Sequence, residues 1–267
     1  MTRERRLLLV QWAVFVVAVG VLTWVSATFV SWDRLGNTFF RWELFKDQFP
    51  KILSEGLKNT VLYTIIAFSL GGVLGLIAAL AKQSRVLPAR WIATAYIDGL
   101  RSLPALMTIL LIGYGIPIAF YDYNLPSFLR ETRGPGLVAL SLVAGAYLAE
   151  TIRAGIEAVP RGQTEAARSL GMSTSRAMWT IVLPQAFRII VPPMTNEFVL
   201  LLKDTSLIAF LSSTPGQREL TTFGRLVSNE NANYTPLVTA AVVYVVVTVP
   251  LIRLVNYFER RRASLIR

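Results

Sequence analysis

Long apolar runs separated by short polar stretches set the pattern of this chain. The first run extends from Leu7 to about Val30, behind Arg3-Glu4-Arg5-Arg6. It exceeds the roughly 20 residues that an α-helix needs to cross a bilayer. A secretory signal has a shorter core and a small-residue cleavage site. Val25-Ser26-Ala27 is a weak candidate for such a site, and the length favours a retained helix. The next stretch, 31–55, interleaves Trp32, Phe39, Phe40, Trp42, Phe45 and Phe49 with Lys and Asp. Amphipathic rings settle at the headgroup level. The stretch therefore reads as an interfacial amphipathic helix on the outer side, with an extramembrane loop carrying aromatic anchors as the alternative.

Five further apolar stretches follow. The second span covers about Gly56 to Ala81, with Gly71, Gly72 and Gly75 at spacings that let helices approach closely. The third covers about Trp91 to Phe120, starts with Asp98 and Arg101, and is interrupted at Pro104. The fourth runs from about Gly136 to Arg153. A fifth, about Thr195 to Leu211, is expected after Pro192-Pro193, and a sixth spans about Pro236 to Asn256. The expected fold is an all-α membrane protein of about six transmembrane helices. It divides into an N-terminal helix (1–30), the interfacial segment (31–55) and a main membrane domain (56–267).

Composition agrees: 54% of residues are hydrophobic and 16% charged, below the roughly 25% charged of soluble domains. Cysteine and histidine are absent, so neither can ligate a metal or form a disulfide. No Gly-Lys dipeptide occurs, so the chain has no phosphate-binding loop of the G-x-x-x-x-G-K type. The net charge of +11 would suggest nucleic acid in a soluble protein, but its distribution points elsewhere. With six spans and cytoplasmic termini, the inner segments hold sixteen basic residues against four acids, and the outer ones nine against eight. That asymmetry satisfies the positive-inside rule. The charge belongs to topology, and nucleic acid is not expected as a partner.

The same topology places the stretch 162–183, GQTEAARSLGMSTSRAMWTIVL, in the cytoplasm. Thr164 is expected to cap a short helix, Glu165 to Leu170, with Glu165 in its first turn where a negative charge complements the dipole. Gly171 can close it in the left-handed conformation, and Ser173 or Thr174 can cap a second helix. Ala166, Ala167 and Leu170 are read as one small apolar face that another protein's groove can approach. Two short helices meeting at a glycine make an elbow.

Glu165-Ala166-Ala167, Gly171, Ile181, Leu183 and Pro184 resemble the EAA loop of the membrane subunits of bacterial ABC importers. The wider run is similar to the polar amino-acid permease family: Gly145 to Glu150, Ile152 to Ile156, Val159 to Gln163, Leu183 to Ala186 and Lys203 to Leu207. Tyr96 to Pro104 resembles the start of that family's third helix, with Ser102-Leu103 where Gly-Thr is commoner. The region around Ser213-Thr214-Pro215-Gly216-Gln217-Arg218-Glu219-Leu220 departs from the family's more regular turn. The first span is additional to a five-helix importer core. The resemblance implies an ATP-driven importer of a polar amino acid in the bacterial cytoplasmic membrane. Two ATP-binding cassette subunits would hold ATP and magnesium, and this chain would carry no cofactor. The elbow (Glu165, Ala166, Ala167, Leu170, Gly171) would dock on them. A second permease chain, identical or paralogous, and an extracytoplasmic amino-acid-binding protein would complete the assembly, in membrane lipid.

Ionisable residues inside the membrane are costly and are candidates for function. Glu150 and Arg153 are placed to pair along one helix. Lys203 and Asp204 are adjacent and diverge by about 100° on a helix, so each needs a partner elsewhere or a water-filled path. Asp98, Arg101 and Glu197 are further candidates for the translocation path, nearer the inner face. A gradient-driven transporter or channel and a polytopic scaffold are the rival readings. The elbow argues against the first and the intramembrane charges against the second. With no histidine, no cysteine and no nucleophile placed beside a base, an enzyme is the least supported reading.

Overall fold

The computed structural model describes residues 3–124, 126–130, 133–211 and 216–263, and among these every regular element is helical. Helix α1 is Arg3–Phe29, followed by two short helices, α2 (Trp32–Phe39) and α3 (Trp42–Lys51). The expected single interfacial helix is thus two, broken at Phe40-Arg41. Helix α3 passes through a π-helical turn, Ile52–Leu57, into α4 (Lys58–Lys82).

Helices α5 (Leu87–Ser102) and α6 (Ala105–Ala119) occupy the third predicted span, bent by 109° between them. The cause is local. A residue before proline is pushed out of the α region, and Leu103 is extended at φ −91°, ψ 142° ahead of Pro104. A one-turn α7 (Ser127–Arg130) leads to α8 (Arg133–Glu157). Then come α9 (Arg161–Ser169), α10 (Thr174–Ala177), a π-helical stretch Met178–Val182, and α11 (Leu183–Asp204), which tightens into a 3-10 turn, Thr205–Phe210. Helices α12 (Leu220–Glu230) and α13 (Thr235–Ala263) finish the fold.

Among the described residues, four helical stretches are long and apolar enough to cross a membrane, and five if the bent pair counts as one span. The fifth expected span falls on α11, which begins at Leu183, twelve residues before the predicted Thr195, and runs straight through Pro192 and Pro193. Two prolines remove two backbone donors from the ladder. The helix is nevertheless held on both sides of them, by Ala186 and Ile190 before and by Val199, Leu201 and Leu202 after, all buried. Tertiary packing overrides the local break.

Helix α8 is the axis of the bundle: 72% of its apolar window is buried, against none of α1's. Small residues make this possible. A Cβ on Gly71 would lie 2.9 Å from Ala144 Cβ and 3.0 Å from the Ser141 carbonyl oxygen, and one on Gly75 would lie 2.9 Å from the Gly145 oxygen. These two glycines, one helical turn apart, let α4 lie against α8 almost backbone to backbone. Gly72 does not take part, having open space around it. Apolar clusters form at both ends of α8. Tyr63, Ile109, Leu140, Leu201 and Leu211 make one, and Ile97, Ile152, Ile156, Val182 and Ile190 make the other. A third joins Ile52 to Phe223, Val227 and Val243.

Candidate functional site

The elbow lies at the end of α8 where Glu157 leads into the turn before Pro160. Pro160, at φ −56° and ψ 129°, is the last extended residue, and its carbonyl accepts the first hydrogen bond, from Gln163 N at 3.0 Å. Helix α9 therefore starts at Arg161. Thr164 lies inside it rather than capping it, and Glu165 sits past the first turn, where the dipole argument no longer applies. Proline fixes φ near the value that launches a helix, a signal the threonine reading overlooked.

The far end of α9 forms as expected. Gly171 takes φ +84°. The Met172 amide reaches back to the Ala167 carbonyl at 3.1 Å, closing the helix in the manner of a Schellman turn. Ser173 accepts from Arg176 N and caps α10. Arg168 and Thr174 join across the bend. The three small-face residues do not share a face, because adjacent helical positions diverge by about 100°. Ala167 is buried against the second arm of the elbow, while Ala166 and Leu170, four apart, point outward with Leu170 86% exposed. Behind the elbow, Ile156, Val159, Val182 and Ala186 fix it to the bundle.

About two turns into the bundle from the end of α8, charges converge on Glu150. Arg153 donates to both of its carboxylate oxygens, from Nε at 3.1 Å and from Nη2, and Arg153 Nη1 also reaches Glu157 at 2.6 Å. Lys82 Nζ lies 3.2 Å from Asp98 Oδ1 and 3.7 Å from Glu150 Oε2, and Arg101 Nη1 lies 3.9 Å from the same oxygen. The network ties the end of α4 to α5 and α8. It gathers Asp98, Arg101, Glu150 and Arg153, and adds Lys82 and Glu157. Lys82 closes a span in the sequence and reads there only as a topology charge.

Glu197 and Asp204, seven residues apart on one face of α11, line a small cavity with Phe68, Tyr147, Leu148 and Leu201. Arg101 stacks over the Tyr147 ring at 5.5 Å and lies within electrostatic reach of Glu197. The cavity and the Glu150 network therefore adjoin through Arg101 and Tyr147. Lys203 is exposed, lies within electrostatic reach of Asp204, and makes no ion pair with a described residue. Tyr147 was not singled out from the sequence, where an aromatic on a buried helix reads as packing.

At the other end of the bundle, residues 216–219 form a non-helical strap, from Gly216 at φ +81° to the extended Glu219. Of the stretch that departs from the expected turn, 213–215 lie outside the described residues. Glu55 Oε1 accepts from Gly216 N (2.8 Å) and Arg218 N (3.3 Å). Asn59 donates to the Gly216 and Arg218 carbonyls, Tyr63 to the Gln217 carbonyl, and Thr60 accepts from Leu220 N. The buried Glu219 carboxylate then caps α12, accepting from Thr221 N at 2.7 Å, Thr222 N at 2.5 Å and Tyr244 Oη at 3.2 Å.

A bundle wrapped on one axial helix, with an exposed elbow at one end and charged groups inside, is the form of a transport permease. Residues 71–264 match the binding-protein-dependent transport system inner membrane component family, and the chain belongs to that family. It is thus an integral inner-membrane translocation subunit that works with ATPase subunits and a binding protein, and ATP is hydrolysed on a separate subunit. Over 171 residues it is 40% identical to the L-cystine transport system permease protein TcyB of Bacillus subtilis, covering 64% of this chain and 70% of that one. It is 32% identical to the glutamate/aspartate import permease protein GltK of Escherichia coli over 84% of this chain and 99% of that protein. A crystal structure of an amino acid ABC transporter with histidines superposes with a TM-score of 0.72 at 34% identity, covering 83% of this chain and 98% of that one. The MetNI methionine ABC transporter, at 16% identity and a TM-score of 0.61 over 79% of this chain and 97% of that one, shares the fold.

Proposed function

We propose that this chain is the permease subunit of an importer for a polar amino acid, driven through the 162–183 elbow by two ATPase subunits that bind ATP and magnesium. The observation that carries the coupling reading is the rigid presentation of Ala166 and Leu170 on a short helix closed by a left-handed glycine. The substrate class rests on relatives whose names specify L-cystine, glutamine and glutamate/aspartate. A second permease chain, identical or paralogous, completes the path, and an extracytoplasmic amino-acid-binding protein delivers the solute. The charge asymmetry supports cytoplasmic termini and a cytoplasmic elbow.

The mechanism follows from how the parts are joined. Because the elbow is packed onto the ends of α8 and α11, a force that draws two elbows together acts on the helices rather than on a loop. The Glu150 network ties α4 and α5 to the same end, so these helices move as a unit. Closing that end shuts the inner side while the opposite end opens. Inside, Arg101 suits a carboxylate, and Glu197 and Asp204 suit an ammonium group, the two charges every amino acid carries.

The test compares the assembled transporter with its Gly171→Arg variant in vesicles. At φ +84° any side chain is strained, and arginine adds bulk where the elbow must fit a cleft. We expect the ATPase to be lost on purification, or to be retained with hydrolysis that no longer drives uptake. Normal uptake by the variant would overturn the coupling role. Wild-type uptake that follows an ion gradient and ignores ATP would favour the gradient-driven reading instead.

A further inference from the structure

The corner between α2 and α3 is fastened to the first turn of α13. Tyr234 N donates to the Thr38 carbonyl at 2.8 Å, Asn233 Nδ2 to the Asn37 carbonyl at 2.8 Å, and Arg41 N to Thr235 Oγ1 at 2.9 Å. Phe39 stacks on Tyr234 with ring centroids 5.2 Å apart. Between these elements runs an open groove. Its walls are Phe39, Phe40, Trp42 and Phe45 on one side and Val238 and Val242 on the other. Arg41 stands at its rim.

The groove sits at the beginning of the α13 span, at the same end as the last residues of α1 and the start of α4, which is the headgroup level of a membrane. An apolar slot there suits an acyl chain, and a mobile aqueous ligand would find almost nothing polar to hold. The cations beside it are Arg41, in its lining, and Lys46, against its Trp42. Lys46 lies over the Trp42 ring at 5.4 Å, and neither Lys46 nor Arg41 forms an ion pair with a described residue. The acids of α3, Glu43 and Asp47, fall about 160–200° around the helix from Phe45, so they face away from the groove. Cations gathered at the mouth of an apolar slot complement a phosphate attached to hydrocarbon.

We infer that this groove is a binding site for an anionic phospholipid. One acyl chain lies along α13 between Phe45 and Val242, and the phosphate is held by Arg41 and Lys46. Trp42 fixes the depth, its indole spanning the boundary between hydrocarbon and headgroup. The site is built largely by residues ahead of the family-matched 71–264, and it holds whatever solute the transporter carries. It would clamp the α2–α3 corner to α13 and anchor that corner in the bilayer plane.

The test is native mass spectrometry of the intact transporter in detergent, titrated separately with palmitoyl-oleoyl phosphatidylglycerol and with phosphatidylcholine of the same chains. Wild type should retain phosphatidylglycerol in preference. The double variant Arg41→Gln/Lys46→Gln should lose about tenfold in apparent affinity for phosphatidylglycerol, with phosphatidylcholine unchanged. Its backbone bond to Thr235 is kept, and unchanged phosphatidylcholine binding shows that the groove is still formed. Val242→Trp, which fills the slot, should lower retention of both lipids. Equal retention of the two lipids by wild type, or an undiminished preference in the double variant, overturns the proposal. So does a photo-crosslinker at Phe40 that captures a second protein chain instead of lipid.

Discussion

Replacing Gly71 by alanine puts a methyl carbon 2.9 Å from Ala144 Cβ, 3.0 Å from Gly145 N and 3.0 Å from the Ser141 oxygen. Ordinary van der Waals contact begins near 3.4 Å, and two of the three neighbours are backbone atoms of the axial helix that no rotamer change can move aside. The helices must separate by several tenths of an ångström along their closest line, loosening contacts the length of the α4–α8 seam. Overpacking of this kind costs about 1–3 kcal/mol. At about 2–4 °C per kcal/mol for a chain of this size, the thermal midpoint should fall by roughly 2–12 °C. Gly75→Ala should behave alike, since its methyl would meet the Gly145 oxygen at 2.9 Å and Ala149 N at 3.0 Å. The control is the next residue. Gly72 has nothing within 4 Å, so Gly72→Ala should be neutral, or stabilising by up to about 1 kcal/mol from the glycine entropy no longer lost. Tryptophan-fluorescence melts of the three variants in one detergent decide the matter. Equal shifts at positions 71 and 72 would refute the close approach of α4 to α8 at Gly71.

Glu150→Gln removes the one carboxylate shared by Lys82, Arg101 and Arg153 and leaves three cations together. Since the group is about a quarter exposed, the loss should be a moderate ~1–2 kcal/mol, read as a lowered midpoint that high salt partly restores. Glu219→Ala takes the cap from α12 and strands the Thr221 and Thr222 amides, at a cost of about 1–2 kcal/mol in the same melts. Burial pushes the Glu219 carboxyl above the usual range, against hydrogen bonds from Thr222, Thr221 and Tyr244 that hold it down. The folded state then keeps that proton longer than the unfolded one. Stability should decline as pH rises from the ordinary carboxylate range through the raised value, and Glu219→Gln should flatten that slope.

Much of the bundle is legible because membranes demand long uninterrupted apolar runs, and little besides a helix satisfies the backbone there. The bend at Pro104, the left-handed Gly171 and the approach at Gly71 and Gly75 follow from single residues whose backbone or size admits few alternatives. The same local reasoning misplaced the start of α11, because nothing near Pro192-Pro193 announces that Ile190 and Leu201 will be gripped by other helices. It also misplaced the start of α9, where threonine and proline offered competing signals. For the site, Glu150 and Arg153 sit three apart and are readable as a pair. Lys82 and Arg101 reach the same carboxylate only through the packing of α4 and α5 on α8, and no spacing in the chain encodes that. Glu55, Asn59, Thr60 and Tyr63 likewise read as an ordinary helix beginning, until the strap they serve is seen.

That strap has a consequence for how the protein is made. The groups that satisfy its backbone lie some 160 residues earlier in the chain, so they enter the bilayer long before their partners leave the ribosome. Through most of synthesis, Glu55 in the π-helical turn and Asn59 and Thr60 in the first turn of α4 have no strap to bind. Only when residue 220 emerges can they settle to their final depth. A late step of biogenesis therefore completes the earliest helix of the importer core, and a chain whose synthesis stops short of the strap keeps those polar groups without their partners.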